Sequence, residues 1–296
     1  YQRVTLQAIN VMNTPEAGSA AVPKVRPMLQ FYTCFDEREE SFRRYIEASA
    51  SFPDEIETFG VAGFFNMAIR HSAPNLRPPE ILAPEGNCPP LSHFVEEKEL
   101  TPGHAERKKL LAELSLAYER ATFSPLSSLV VSAGLLPFQL PRLALKSFAP
   151  TTTRKLDEKM KAAFVPESKT DFAPPYTAEE AADRLGQLFK NVGEMSAFGR
   201  LVIATGHGAR SLNNPFLAAY NCGACCGREG GPNARVMARC ANSAEVRQLL
   251  RSKHGIDIPD DTWFVGGYHD TTLDLVELYD LDRVPASHKE DLRRAT

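Results

Sequence analysis

With 296 residues, 43% apolar and 24% charged, the chain can bury a substantial core and exceeds one typical domain. Its 34 basic and 37 acidic residues leave a formal charge of -3, which gives no electrostatic ground for a nucleic-acid partner. Six cysteines are too few for a disulfide scaffold at this size, and no run of 18 or more uninterrupted apolar residues is present.

The opening "YQRVTLQAINVMN" lacks the basic start and long apolar run of a secretory signal, so a soluble, cytosolic-side protein is expected. A first residue of Tyr rather than Met suggests a processed chain or a segment of a longer one. "PMLQFYT", residues 27–33, has the length and aromatic content of a buried strand. The charges after it begin a helix, with Glu37, Glu39 and Glu40 in the first turn, where they complement the helix dipole. Phe42, Tyr45, Ile46 and Ala50 fall at helical spacing and form its expected apolar face.

Glycines at 60 and 63 make "ETFGVAGFFNMAI" a short strand or a close backbone approach. The proline-rich stretch "APNLRPPEILAPEGNCPPLSHF" must be mostly irregular. A helix is expected over about 104–121. The apolar run "PLSSLVVSAGLLPFQLPRLALKS", 125–147, is broken by Pro137 and Pro141 and reads as a buried helix pair too short to span a bilayer, in preference to a surface for a membrane or a membrane-bound partner.

Thr177 and Glu180 match a capping box for a helix reaching about 193. "RLVIAT" reads as a strand over 200–205, ending at the glycine-flanked His207. A helix near 244–253 and strands at 262–268 and 273–279 complete the chain. Strands followed by helices, with one long excursion, predict an α/β fold with a mostly parallel β-sheet flanked by helices. Residues 1–69 and 200–296 are the two parts of its core, and 70–199 are a Pro-rich and helical insertion. Ligands collect at the carboxyl ends of such strands, where Cys34 and His207 are both expected.

In an extended segment side chains at i and i+2 share a face, so Cys34 and Asp36 point into one space, with Arg38 near enough to hold the carboxylate. On spacing alone the bland alternative is a buried thiol followed by a helix cap and a solvent-facing arginine. Cys222 lies 15 residues after His207 in the glycine-rich "NCGACCGREGG". Two thiolates, an imidazole and a carboxylate at loop positions are the donors zinc selects. Cys34, His207 and Cys222 would then neutralise Zn²⁺ and leave a fourth position for water or Asp36. A structural site on Cys222 and Cys225 with Cys226 or Cys240 stays open, as does a Cys34 nucleophile paired with His207. His269 and Asp270 are either structural or near the site. Asn213, Asn214, Asn233 and Arg235 are expected to hold turns, and His71, His93, His104, His254 and His288 to be surface groups.

Cys34-x-Asp36-x-Arg38, with His207 and a later Cys222, resembles the zinc site of β-carbonic anhydrases. It departs from that pattern in having 14 residues, rather than two, between the histidine and the second cysteine. That longer spacing, with "ETFGVAGFF", "GHGARSLNNPF", "NCGACCGREGGPNARVMARCAN" and "HGIDIPDDTWFVGGYHDTT", is similar to the DabA family, the peripheral subunit of a two-component inorganic carbon transporter. The resemblance implies a β-carbonic-anhydrase-like core with zinc on Cys34, His207 and Cys222. Asp36 would be the fourth ligand or gate, with Arg38 as its partner. It further implies CO₂ hydration to bicarbonate by zinc-bound hydroxide, coupled to an integral membrane, cation-conducting subunit, DabB, at the cytoplasmic side of the inner membrane. The alternatives are an autonomous carbonic anhydrase and a non-catalytic, zinc-stabilised binding subunit.

Overall fold

The computed structural model describes residues 26–48, 56–73, 79–164, 169–194, 197–211 and 214–295. β1 (Leu29–Cys34) leads into α1 (Glu37–Ala48), and β2 (Ile56–Val61) follows. β3 (Ile69–Ser72), β4 (Glu80–Leu82) and β5 (Phe94–Glu96) form a separate three-stranded sheet. β6 (Lys98–Glu99) and β7 (Thr170–Asp171) pair with each other on either side of three consecutive helices, α2 (His104–Phe123), α3 (Pro125–Phe148) and α4 (Pro150–Phe164). After α5 (Ala178–Val192) comes β8 (Leu201–Gly208). α6 (Leu217–Tyr220), α7 (Gly231–Ala241) and α8 (Ala244–Leu249) precede β9 (Trp263–Asp270), and β10 (Leu275–Leu278) and α9 (Lys289–Ala295) close the described chain.

The central sheet has the order β10-β9-β8-β1-β2 and is parallel throughout except for β10, which pairs antiparallel with β9. The expected α/β class with a mostly parallel sheet is therefore observed. All residues of β1 and β8 are buried, as strands covered on both faces must be. Leu29, Phe31, Leu201, Ile203 and Val265 fill one face, with Ile46 of α1 and Leu292 of α9 against them. Tyr32, Val202, Ala204 and Phe264 fill the other, under α5, α7 and α8. The capping box is present, with Thr177 and Glu180 bonded reciprocally at the start of α5.

Strand order reverses between β1 and β8, because β2 lies beyond β1 on one side and β9 beyond β8 on the other. Such a switch point opens a crevice at the strands' carboxyl ends, where ligands of open α/β sheets bind. α7 seats directly on this region: a Cβ at Gly206 would come within 2.1 Å of the Gly230 carbonyl, so only glycine lets the helix start approach the strand so closely.

Four expectations are corrected. Residues 125–148 form one continuous helix of 24 residues around Pro137 and Pro141, with none of its residues buried, long and apolar enough to cross a membrane by length and composition. The two prolines are four residues apart and so share a face, which confines the lost amide bonds to one side of the helix. Tyr45 is exposed, and the only buried residue of α1 is the acidic Glu39; Ala50 lies outside the described residues. Asn233 and Arg235, expected to hold turns, lie instead inside α7, with Pro232 in its first turn. His71, His93 and His288 are buried rather than surface groups, each in reach of a partner: Glu97 Oε1 at 3.2 Å, Glu180 Oε1 at 3.6 Å and the Asp261 carbonyl at 2.8 Å.

Candidate metal centre

β1 delivers Cys34 as its last residue, at 3% exposure. The chain then turns into α1 through Asp36, whose carboxylate accepts from the Arg38 backbone at 3.0 Å. The Arg38 guanidinium closes a two-point fork on the same carboxylate, Nε to Oδ1 and Nη2 to Oδ2 at 2.7 Å each, the planar geometry that favours arginine over lysine. These hydrogen bonds hold the Asp36 carboxyl below the usual aspartate range. A third guanidinium nitrogen, Nη1, reaches the Ala219 carbonyl at 3.2 Å, and the Tyr220 ring centroid is 5.8 Å from the same guanidinium. Arg38 thus ties the β1 turn to α6.

His207 is the penultimate residue of β8. Thr33 registers with Thr205, so Cys34 and His207 leave neighbouring strands at almost the same level, on the two sides of the switch point. Cys222 enters from the loop after α6, fixed by a backbone bond to the Arg228 carbonyl at 3.1 Å. Gly63, after β2, roofs the cluster: a Cβ there would stand 2.6 Å from Cys222 Sγ and 2.9 Å from Cys34 Sγ. The expected close backbone approach at this glycine is real, and the sulfurs are what it accommodates.

The ligand atoms of Cys34, His207 and Cys222, all buried, lie within 4.8 Å of one another. The two sulfurs are 4.0 Å apart, a span that two bonds of about 2.3 Å from one tetrahedral ion can bridge. Both ring nitrogens of the fully buried His207 lack a hydrogen-bond partner, a state that costs about 1–3 kcal/mol per group unless something else pairs with it. The neighbouring Cys222 thiol, then burial, push the Cys34 thiol far above its usual range; contact with Cys225 and burial do the same for Cys222. A dication bound between them would reverse this, because a coordinating thiol is deprotonated outright. The donor set fits a metal ion. Asp36 Oδ2 stands 3.8 Å from His207 Nε2, at the edge of the cluster and turned to Arg38. A cavity of about 390 Å³, lined by Asp36, Arg38, Asn221 and Cys226 among others, opens beside this pair.

Three neighbours complete the surroundings: Cys225, which the sequence offered as a ligand of a structural site, and Asn233 and Glu39, whose places beside the cluster it did not show. Cys225 is buried against Cys34 and Cys222, with its thiol 3.6 Å from the Gly63 carbonyl and 3.7 Å from Asn233 Oδ1. Asn233, expected in a turn, is buried in α7 and donates to the carbonyls of Met67 and Leu82 at 2.6 and 2.9 Å. Glu39 is buried with its Oε1 2.8 Å from His269 Nδ1, and the Phe42 ring stacks on that histidine at 4.2 Å. His269 registers with His207 across β8 and β9, so this pair packs beside the metal-ligand candidate. Burial pushes the Glu39 carboxyl up. The signal for Glu39 was present in its helical spacing from Phe42 and Ile46, but an acidic residue on an apolar face is discounted unless its partner is known. Asp270 caps the turn after β9 through bonds from Arg210 and Thr272, and Arg235 is ion-paired with Asp280. Cys240 is buried in the core and Cys88 is exposed; Asn214 caps Phe216, and Asn213 lies outside the described residues.

Comparison with known proteins places the chain in a family. The family model described as "Probable inorganic carbon transporter subunit DabA" matches residues 1–296. Proteins carrying that same description are similar to the chain in Nitrosococcus oceani (35% identity, covering 91% of this chain and 25% of the relative). In Bacillus licheniformis the figures are 36%, 99% and 35%, and in Natronomonas pharaonis 34%, 90% and 34%. The chain therefore spans about a quarter to a third of the length of these curated relatives. No solved structure matches it.

Proposed function

Because the chain belongs to the DabA family of inorganic carbon transporter subunits, we propose that it forms a zinc-binding, β-carbonic-anhydrase-like core that converts CO₂ to bicarbonate. We place it at the cytoplasmic side of the inner membrane, coupled to an integral, cation-conducting subunit of the DabB type. The observation that carries this reading is the convergence of Cys34, His207 and Cys222 in one buried space with the Asp36–Arg38 pair at its rim. Two thiolates and one imidazole would neutralise a zinc dication with three protein ligands, the donor count of catalytic rather than structural sites. Zinc held there would supply Lewis acidity, the property that makes bound water nucleophilic near neutral pH.

The chain's own residues divide the remaining work. Gly63 and the walls of the cluster keep the sulfurs dry. Asp36, held by Arg38, stands at the edge of the cluster, where it would be placed to accept a hydrogen bond from a group bound beside the three ligands. Released from Arg38, the same carboxylate would be free to turn toward the cluster. Since Arg38 also grips the Ala219 carbonyl, a movement of α6 relative to β1 would open or shut the site. A coupled membrane subunit would need that kind of control for hydration to run one way.

A second reading has its own observation: Cys225 lies buried against the same sulfurs and could supply a third thiolate as the fourth ligand, making a closed site in a zinc-stabilised, non-catalytic subunit. Isotope exchange between CO₂ and water, measured with the chain alone and with the membrane subunit, separates the cases. Exchange only in the coupled complex, lost in Asp36→Asn with zinc content intact, is expected. Equal, high exchange by the isolated chain would make it an autonomous carbonic anhydrase, and unchanged transport in Asp36→Asn would favour the closed site.

A further inference from the structure

Helices α2, α3 and α4 form an arm whose chemistry differs from that of the rest of the chain. Residues 121–141 are 21 in a row without a charge, and no residue of α2 or α3 is buried. The large side chains stand in the open, Phe123 at 87%, Leu126 at 81%, Leu129 at 71% and Phe148 at 90% exposure. A helix with so broad an apolar surface needs something to cover it, and α3 is not covered by its own chain.

The polar groups in this stretch already behave as they must away from water. Thr122, Ser127 and Ser128 donate to the carbonyls of Glu119, Ala121 and Pro125 at 2.7, 2.7 and 3.0 Å, and Gln139 donates to the Tyr118 hydroxyl at 3.3 Å. Prolines inside a helix, as at 137 and 141, are better tolerated in lipid than in water-exposed helices. The charge points the same way. Residues 104–164 hold ten Lys or Arg against five Asp or Glu, a net of +5 in a chain whose total is -3. The positive residues flank the uncharged stretch: Arg107 and Lys109 before it, Arg142, Lys146, Lys155 and Lys159 after it.

An apolar surface bordered by cations is what an anionic bilayer recognises. We infer that the arm docks directly on anionic lipid, with α3 sunk into the acyl boundary and the flanking cations at headgroup level. Glu113, Glu119 and Arg120 keep α2 at the polar interface, so the arm lies in one leaflet rather than crossing it. This inference stands apart from the metal-centre reading, and neither requires the other.

Co-sedimentation of the full chain with vesicles tests it, using phosphatidylcholine alone and phosphatidylcholine mixed with phosphatidylglycerol, with no other protein present. The chain should pellet with the mixed vesicles, more weakly as salt is raised. Leu129→Glu with Leu136→Glu should weaken binding by about 10-fold or more while metal content and circular dichroism stay those of the wild type. Lys155→Gln with Lys159→Gln should reduce binding only to the mixed vesicles. A folded, metal-loaded chain that stays in the supernatant overturns the inference, whether light scattering then finds a second copy on this face or pelleting requires the integral subunit. Undiminished pelleting of the two-glutamate variant overturns it equally.

Discussion

The central sheet and the helical arm are built from similar apolar residues, yet they do opposite things with them. In the sheet, Leu29, Phe31, Leu201 and Ile203 vanish beneath α1 and α9, and the strand ends project a thiol and an imidazole into a dry space at the switch point. In the arm, leucines of α3 such as Leu126 and Leu129 remain uncovered. The difference is one of layers: a parallel sheet has helices on both faces, whereas three consecutive helices with no sheet behind them cover only one another. Apolar content alone therefore says little about where a residue ends up, and chain topology decides.

The largest effects should come from the switch point. Cys34→Ser, His207→Ala and Cys222→Ser should each abolish stoichiometric metal binding. Their loss in affinity should exceed the roughly 10- to 100-fold that follows removal of a group that only orients a ligand, as elemental analysis after dialysis would show. Full zinc content in all three would refute the centre. Next comes a matched pair of leucines. Leu185 of α5 is fully buried, and Leu185→Ala should cost about 2–5 kcal/mol in urea unfolding. Leu129→Ala in the arm should stay within about 0.5 kcal/mol in the absence of lipid. Similar costs at both positions would mean that the arm is packed in solution after all. Gly63→Ala falls between them, at about 1–3 kcal/mol, because its methyl would press on both sulfurs; it should also weaken metal binding, which Leu185→Ala should not.

How much of this was legible in the sequence follows the same division. The strand of Cys34, the helix after it and the capping box at Thr177 were readable because each has a local cause: run length, dipole-matched charges, a reciprocal cap. The strand ends then placed Cys34 and His207 by rule. α7 was not readable, since it is buried nearly all round, Asn233 and Arg235 included, and so has no polar face to give it a period. Glu39 was hidden because its partner, His269, lies 230 residues away. The arm misled for the converse reason: a uniformly apolar helix reads as core unless the layers above and below it are known, and nothing local supplies them.

The smallest effect concerns the gate. Asp36 is held below its ordinary range, first by hydrogen bonds from Arg38, so its folded value lies below its unfolded one. A group of that kind adds stability above the unfolded pKa, near 3.9, and loses it as the pH falls through the lower, folded value. Arg38→Ala removes the largest cause, the side-chain bonds, and leaves the backbone bond in place. The variant should be less stable than the wild type at neutral pH by only about 0.2–1 kcal/mol, because the pair is partly open to solvent, and the gap should shrink below about pH 4. Urea midpoints of the two proteins measured across that range provide the check. A gap that persists unchanged in acid would assign the stabilising role of Arg38 to its bond with the Ala219 carbonyl, which does not titrate, and would make the arginine a tether for α6 rather than the holder of the carboxylate.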